Sequence, residues 1–468
     1  MTMLNKTETL ANLPPEWPVS LLPQVQAQVR ASNRKIVVLD DDPTGTQTVY
    51  DIPVLTEWSV ETLAQELLAD SPAFYLLTNS RSLPLPQAQA INAAIGRNLL
   101  AAAQQTGRDF AVVSRSDSTL RGHFPGEVEA LAEALGQRFD AWLLIPFFLE
   151  GGRYTINDIH YVAEGELLIP AGETPFAQDK VFGYRSSDLK EWVAEKTFGV
   201  TPAETVASIT IDDIRRGGPE RVAEKLSRLA GGTVCVVNAA SYRDIGIVVS
   251  GLLQAEAQGR QFLYRTAASF VRVRAGLGPR PLLTPAELHP TETGGGLIIV
   301  GSYVPKTTTQ VEALLAQTTV TGLEINVEAL LDDNRRAAEI ERVADQAGEI
   351  LGQNRDVMLY TSRQLITGDD AAASLSLGQR VSDSLVRIVR AISTRPRYLL
   401  AKGGITASDV ATQGLGIKKA TVLGQILPGV PVWQAGPESR YPGLTYIVFP
   451  GNVGGPEALA DIATMFKT

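Results

Sequence analysis

Short apolar runs recur along the first part of the chain, at residues 35–39, 74–77, 110–113, 141–145 and 234–237. Alanine- and leucine-rich amphipathic segments separate them, among them 86–105 and 126–135. Strands that alternate with helices predict a largely parallel sheet with helices on both faces. The strands are continuously apolar rather than alternating, as a sheet covered on both sides requires. Residues 276–296 break the rhythm with four prolines, five glycines and no apolar period, which predicts a linker. A second series follows at 297–300, 357–360, 398–401 and 446–449, each run leading into a Gly- or hydroxyl-rich turn and then a helical pattern. The expected fold class is α/β, with two domains, each a mostly parallel sheet flanked by helices, and the active site in the cleft between them. The expected division is an N-terminal extension at 1–33 packing on the first domain, a first domain at 34–275, the linker at 276–296 and a second domain at 297–468.

Composition narrows the function classes. The chain has 468 residues, 44% of them hydrophobic, ample for large cores. Its net charge is -9 and it has no basic run, so nucleic acid is not an expected partner. The start lacks a charged-then-apolar leader and is interrupted by Pro14, Pro15 and Pro18. The apolar runs are too short to span a bilayer, so no membrane partner is expected. The single cysteine, Cys235, lies in the apolar run 233–237 and reads as a buried structural thiol. Together these features predict a cytoplasmic protein. The three histidines, His123, His160 and His289, are scattered, and without a Cys/His cluster a zinc site is not expected.

The candidate chemistry sits where apolar runs end. Residues 114–123, Ser-Arg-Ser-Asp-Ser-Thr-Leu-Arg-Gly-His, follow the run 110–113 directly. Such strand ends are where open α/β sheets hold ligands. Arg115 and Arg121 can each grip a carboxylate or phosphate with a bidentate fork, and Ser116, Asp117 and Ser118 suit a polyol. Asp40-Asp41-Asp42-Pro43-Thr44-Gly45-Thr46-Gln47 follows the run 35–39. Alternation lets at most two of the three acids point the same way. Asp41 and Asp42 are the candidate general bases that orient a hydroxyl, one of the three acids is a candidate magnesium ligand, and Asp40, Thr44 and Gly45 are candidate substrate contacts. Thr78-Asn79-Ser80-Arg81-Ser82 adds Arg81 at a third strand end, and Gly151-Gly152-Arg153-Tyr154 adds Arg153. The set predicts a site for a small, hydroxylated, anionic molecule.

In the second half, Gly403-Gly404-Ile405-Thr406 and Pro450-Gly451-Asn452-Val453-Gly454-Gly455 each follow a strand. Backbone N–H groups at such turns cradle phosphates. Residues 301–308, Gly-Ser-Tyr-Val-Pro-Lys-Thr-Thr, look superficially like a P-loop but lack a glycine where Lys306 stands. No dinucleotide fingerprint follows a strand, which disfavours NAD chemistry. An anion-and-polyol site in one domain and phosphate cradles in the other predict phosphoryl transfer from ATP with magnesium.

Four motifs together, Asp40-Asp41-Asp42-Pro43-Thr44-Gly45, the loop 114–125, Tyr264-Arg265-Thr266-Ala267-Ala268-Ser269-Phe270 and Gly403-Gly404-Ile405-Thr406, resemble the four-carbon acid sugar kinase family. The resemblance covers nearly the whole chain after about residue 33. It implies a sugar-acid-binding N-terminal domain, a nucleotide-binding C-terminal domain and transfer of phosphate from ATP to erythronate, threonate or a 3-oxo-tetronate. It places the 40–44 turn, Arg81 and the 115–121 loop at the sugar acid. It places Ser302, the turn Gly403, Gly404, Ile405 and Thr406, and Gly451 at ATP, and Asn452 and Gly454 of the same glycine-rich turn are further candidate nucleotide contacts. Many members carry an acid where Ile405 stands, and many read Lys-Ser-Gly-x-Phe-Gly where this chain reads Phe449-Pro450-Gly451-Asn452-Val453-Gly454. These departures leave the acid open and admit a branched one such as 3-oxo-isoapionate. The alternatives are a non-catalytic sensor of sugar acid and nucleotide, or a sugar-acid dehydrogenase or isomerase. The expected partners are the sugar acid and ATP, and a homodimer is compatible with the chain.

Overall fold

The structure, a computed structural model, describes residues 3–288, 294–302, 304–362, 371–451 and 453–466. It divides into two units, Met1–Ile52 with Glu57–Pro279 and Pro53–Thr56 with Arg280–Thr468.

The first unit is built on seven parallel strands in the order Ala207–Ile209, Thr233–Val237, Ala141–Ile145, Phe262–Thr266, Phe110–Arg115, Lys35–Asp40 and Ala73–Leu77. The strands Lys35–Asp40 and Phe110–Arg115 are buried at every residue, because helices cover both faces. The helix Leu85–Thr106 carries proline in its first turn and ends on Gly107 at φ 66°, and Gly126–Leu135 ends on Gly136 at φ 59°. Each glycine takes the left-handed cap conformation that a side chain would resist. Lys35–Asp40 lies between Ala73–Leu77 and Phe110–Arg115 and is parallel to both. Three polar strand ends distant in sequence therefore meet at one edge.

A second, antiparallel sheet in this unit was not foreseen. It runs Leu4–Asn5, Leu167–Pro170, Ile159–Glu164, Arg153–Ile156. Asn157 and Asp158, at φ 53° and 64°, form the two-residue turn between its last two strands, the conformation that tight hairpins favour. Strands this short carry little periodicity for sequence reading to use.

The second unit holds five parallel strands in the order Thr445–Phe449, Tyr398–Lys402, Leu297–Val300, Val357–Thr361, Thr321–Ile325. The antiparallel hairpin Lys419–Leu427 and Val430–Ala435 continues the sheet beside Thr445–Phe449. Its core includes Ile298, Val300, Leu314, Met358, Leu400, Ile447 and Phe449. From the proline- and glycine-rich stretch 276–296, Leu283 and Leu288 are buried in this core, and Leu283 N–H donates to the Gln425 carbonyl at 2.7 Å. Among the described residues no helix is long and apolar enough to cross a membrane.

Candidate functional site

Asp40 and Arg115 end neighbouring strands in register. Arg115 Nη1 donates to Asp40 Oδ1 at 3.1 Å, with both residues buried. Burial pushes the Asp40 carboxyl up to about 7, against the pull of Arg115. The carboxylate packs into the turn Pro43–Thr46: a Cβ on Gly45 would stand 1.9 Å from Asp40 Oδ2. Only glycine leaves that space.

Asp41 has different partners. Arg81 Nη2 donates to Oδ1 at 2.5 Å and Nε to Oδ2 at 3.2 Å, a bidentate fork. Ser116 Oγ donates to Oδ2 at 2.6 Å. Burial works against ionisation of Asp41, but the charge and hydrogen bonds of Arg81 outweigh it and hold the carboxyl below its usual range. Asp42 caps the following turn, accepting from Thr44 N–H at 2.8 Å and Thr44 Oγ1 at 2.5 Å, and Arg81 Nη1 lies 3.4 Å from it.

Arg265, one strand over, donates from Nη2 to Ser116 Oγ at 2.7 Å and from Nη1 to Ser114 Oγ at 2.8 Å and Glu127 Oε2 at 3.2 Å. Glu127 also accepts from Ser80. In the loop itself, Arg121 Nε donates to Asp117 Oδ2 at 2.6 Å. Burial raises the Asp117 carboxyl, but Arg121 and Arg81 outweigh it and hold it well below the usual carboxylate range. The Ser118 carbonyl accepts from His160 Nε2 at 2.7 Å. A carbonyl only accepts, so Nε2 carries the proton, and burial pulls His160 down to about 4. That histidine is a neutral strut of the loop.

Arg153 is the cation left over. Its guanidinium lies 5.6 Å from the Phe176 ring centroid, and Arg121 lies 5.1 Å from the same ring. Nη1 donates to the Gly151 carbonyl, while Nε is buried without a hydrogen-bond partner among the described residues. Arg153 forms no ion pair with a described carboxylate, and burial lowers its pKa. Ser116, Asp117, Arg121, Arg265, Thr266 and Trp192 line one small cavity. Thr266 Oγ1 and Trp192 Nε1 are buried and have no hydrogen-bond partner among the described residues.

The structure thus brings Asp40, Asp41, Asp42, Thr44, Gly45, Arg81, Arg115, Ser116, Asp117, Ser118, Arg121 and Arg153 to one edge of the sheet. It also adds residues that the reading of spacing missed. Arg265 entered only through the family motif, although it is the last residue but one of the strand Phe262–Thr266, beside Ser114. Trp192 lies on the helix Leu189–Lys196, where it reads as an ordinary apolar core position.

In the second unit, Ser302, Thr307, Gly403, Thr406 and Gly451 draw together. Thr307 Oγ1 donates to Ser302 Oγ at 3.3 Å, and the Gly451 carbonyl lies 3.4 Å from Thr307 Oγ1. A Cβ on Gly403, at φ 115°, would lie 3.4 Å from Thr406 Oγ1 and 3.5 Å from Ser302 Cβ. Gly404 opens the helix Gly404–Asp409, and Ile405 is 50% exposed. Gly454, at φ 84°, packs against Ala458. Asn452, expected at the nucleotide, lies outside the described residues. Lys402, not singled out as a site residue, is fully buried beside these turns.

The expected magnesium ligand among Asp40, Asp41 and Asp42 is not available as a ready carboxylate cluster, since Arg115, Arg81, Ser116 and Thr44 already occupy these acids. Among the described residues no group of three or more His, Cys, Asp or Glu side chains could hold a metal. These residues do not fit a dedicated magnesium cage.

Two family models match the chain, one after the other. A sugar-binding N-terminal domain model matches residues 36–274, and a nucleotide-binding C-terminal domain model matches residues 297–459. The chain is 26% identical to a D-threonate kinase of Salmonella typhimurium over 91% of this chain and 97% of the relative. It is 25% identical to a D-erythronate kinase of Heliobacterium modesticaldum over 76% and 79%. A solved structure from Salmonella typhimurium LT2 superposes with TM-score 0.66 at 18% identity, covering 92% of this chain and 98% of that one. A Haemophilus influenzae protein superposes with TM-score 0.61 at 18% identity, covering 92% and 100%; both share the fold. With the two models together spanning most of its length, the chain belongs to the four-carbon acid sugar kinase family.

Proposed function

We propose that the protein transfers the γ-phosphate of ATP to a terminal hydroxyl of a four-carbon or branched sugar acid, such as threonate, erythronate, a 3-oxo-tetronate or 3-oxo-isoapionate. The observation that carries this reading is the meeting of Asp41 and Asp42 with Arg81, and of Arg121 and Arg153 with Asp117 and Phe176, around the loop 114–123 at the carboxyl edge of the first sheet. The kinase names of the relatives support the reaction class.

The roles follow from which groups are already engaged. Arg81 and Arg115, expected to grip the substrate carboxylate, instead fix Asp41 and Asp40. Arg153 takes the carboxylate in this reading, because it forms no ion pair with a described carboxylate, and Arg121, held by Asp117 through Nε, stands beside it over the same Phe176 ring. Asp40 is committed to Arg115 and Gly45, which leaves Asp41 and Asp42 to accept or orient the hydroxyl proton. Asp42, with 19% of its side chain exposed, is the more accessible. Magnesium, when bound, would be held by the ATP phosphates rather than by a carboxylate cage of this chain, and would neutralise part of their charge.

The test is ADP release with ATP and magnesium against D- and L-threonate, D- and L-erythronate, their 3-oxo forms and 3-oxo-isoapionate. Turnover of one acid well above the others is expected. ATP binding with no turnover on any acid would favour the sensor reading, and NAD-dependent turnover would overturn kinase chemistry.

A further inference from the structure

Six lysines and arginines are buried among the described residues: Lys35, Arg115, Arg215, Arg265, Arg274 and Lys402. Five of them have carboxylates that favour their charge. Arg115 has Asp40, Arg215 has Asp244, Arg265 has Glu127 and Arg274 has Glu256, while Glu66 and Asp70 act on Lys35. Lys402 has none among the described residues. Its ammonium lies 3.8 Å from the Phe449 ring centroid, 3.1 Å from the Pro450 carbonyl and 3.5 Å from the Gly451 carbonyl.

Burying an ammonium without an anion costs several kcal/mol. A ring face and two carbonyls offset only part of that. The position explains what would complete it. Lys402 precedes Gly403 and ties down the Pro450–Gly451 turn, where Ser302, Thr307 and Thr406 converge. A planar peptide whose carbonyl turns inward to Lys402 turns its N–H outward, so the pinned Pro450 carbonyl aims the Gly451 N–H away from the ammonium.

We propose that Lys402 is a positioning residue and the buried positive charge of a phosphate-chain site, holding the Pro450–Gly451 turn so that the Gly451 N–H and the neighbouring hydroxyls receive the β- and γ-phosphates of a nucleotide. This rests on the nucleotide reading of the second unit. Burial, with the like charge of Lys306, pulls the Lys402 ammonium down to about 7. Lys306, on the helix Pro305–Gln317, is the charged side chain that bears on it. Asp409, in the helix Gly404–Asp409, is engaged by Ser382 and Gln413. The flanking strands Leu297–Val300 and Thr445–Phe449 present no charged side chain. The empty site is therefore only partly charged at neutral pH, and an arriving phosphate chain draws a proton onto Lys402.

The experiment is calorimetric titration of the whole protein with ADP, in buffers of different ionisation enthalpy, for the wild type, Lys402→Met and Lys402→Gln. With a pKa of about 7, roughly a quarter of Lys402 is charged at pH 7.5, so ADP binding should take up about three quarters of a proton. Wild-type affinity should fall about tenfold from pH 8 to pH 9, where ADP itself no longer titrates. Both variants should bind more weakly at pH 7, lose the additional proton uptake and lose the pH slope. Lys402→Met should keep or raise thermal stability, which a merely structural lysine would not allow. Lys402→Gln carries the test if the methionine variant does not fold. Wild-type binding without proton uptake, or uptake that survives in a variant, overturns the proposal. Failure of the wild type to bind ADP or ATP at any pH instead overturns the nucleotide reading beneath it.

Discussion

Gly45→Ala isolates the contact that seats Asp40. The glycine is not in the left-handed region, so the substitution brings no backbone penalty of that kind. The new Cβ would stand 1.9 Å from Oδ2, 2.1 Å from Oδ1 and 2.3 Å from Cγ of Asp40. A free carboxylate would swing aside at little cost, but this one is 1% exposed and held by Arg115. Displacing it breaks the buried Asp40–Arg115 pair, which costs about 3–5 kcal/mol. A double-mutant cycle with Asp40→Ala, followed by urea denaturation, separates collision from other effects. In the Asp40→Ala background the carboxylate is gone, and Gly45→Ala should cost less than about 1 kcal/mol. An equal cost in both backgrounds, or a cost below about 1 kcal/mol in the wild type, would refute the claim that the turn exists to seat Asp40.

Other expectations follow from the same network. The Asp40 carboxyl is raised from 3.8 to about 7, so between those values the folded state holds a proton that the unfolded chain has shed. Its contribution to stability is largest below about pH 4 and declines as pH rises to 7; melting curves should show the wild type losing ground to Asp40→Asn between pH 5 and 7, and parallel curves would contradict this. Arg265→Met strands the buried Glu127 and should cost about 3–5 kcal/mol, with Glu127→Gln restoring part of it in the double variant; additive losses in the cycle would deny the pairing. Burial pushes the Cys235 thiol up to about 12, so it should resist iodoacetamide at pH 8 until the protein is unfolded, and rapid native labelling would show the strand Thr233–Val237 to be misplaced.

Much of the site was legible because its residues stand where apolar runs stop. Asp40, Arg115 and Arg81 each follow a strand whose burial on both faces prints a continuous apolar run, and parallel strands place such ends together. Which cation meets which acid was not legible. Arg115 reaches Asp40 and Arg81 reaches Asp41 across strands far apart in sequence, and only the strand order decides those pairs. Spacing therefore assigned both arginines to the substrate. Arg265 was obscured because the run before it, Phe262 to Tyr264, is too short to stand out. The hairpin Lys419–Leu427 and Val430–Ala435 went unread even though burial alternates along its first strand and Pro428-Gly429 form its turn. Lys402 reads as an ordinary strand-end lysine, since one-dimensional sequence does not reveal that no described carboxylate pairs with it.

The central claim is transfer of phosphate to a sugar acid rather than nucleotide hydrolysis or binding alone. Phosphorus NMR of the protein with ATP, magnesium and the best acid of the panel tests it most directly. The account predicts that the γ-phosphate resonance of ATP decays in step with growth of ADP and one new phosphomonoester. Unchanged ATP with every acid, or decay to ADP and inorganic phosphate alone, would contradict it.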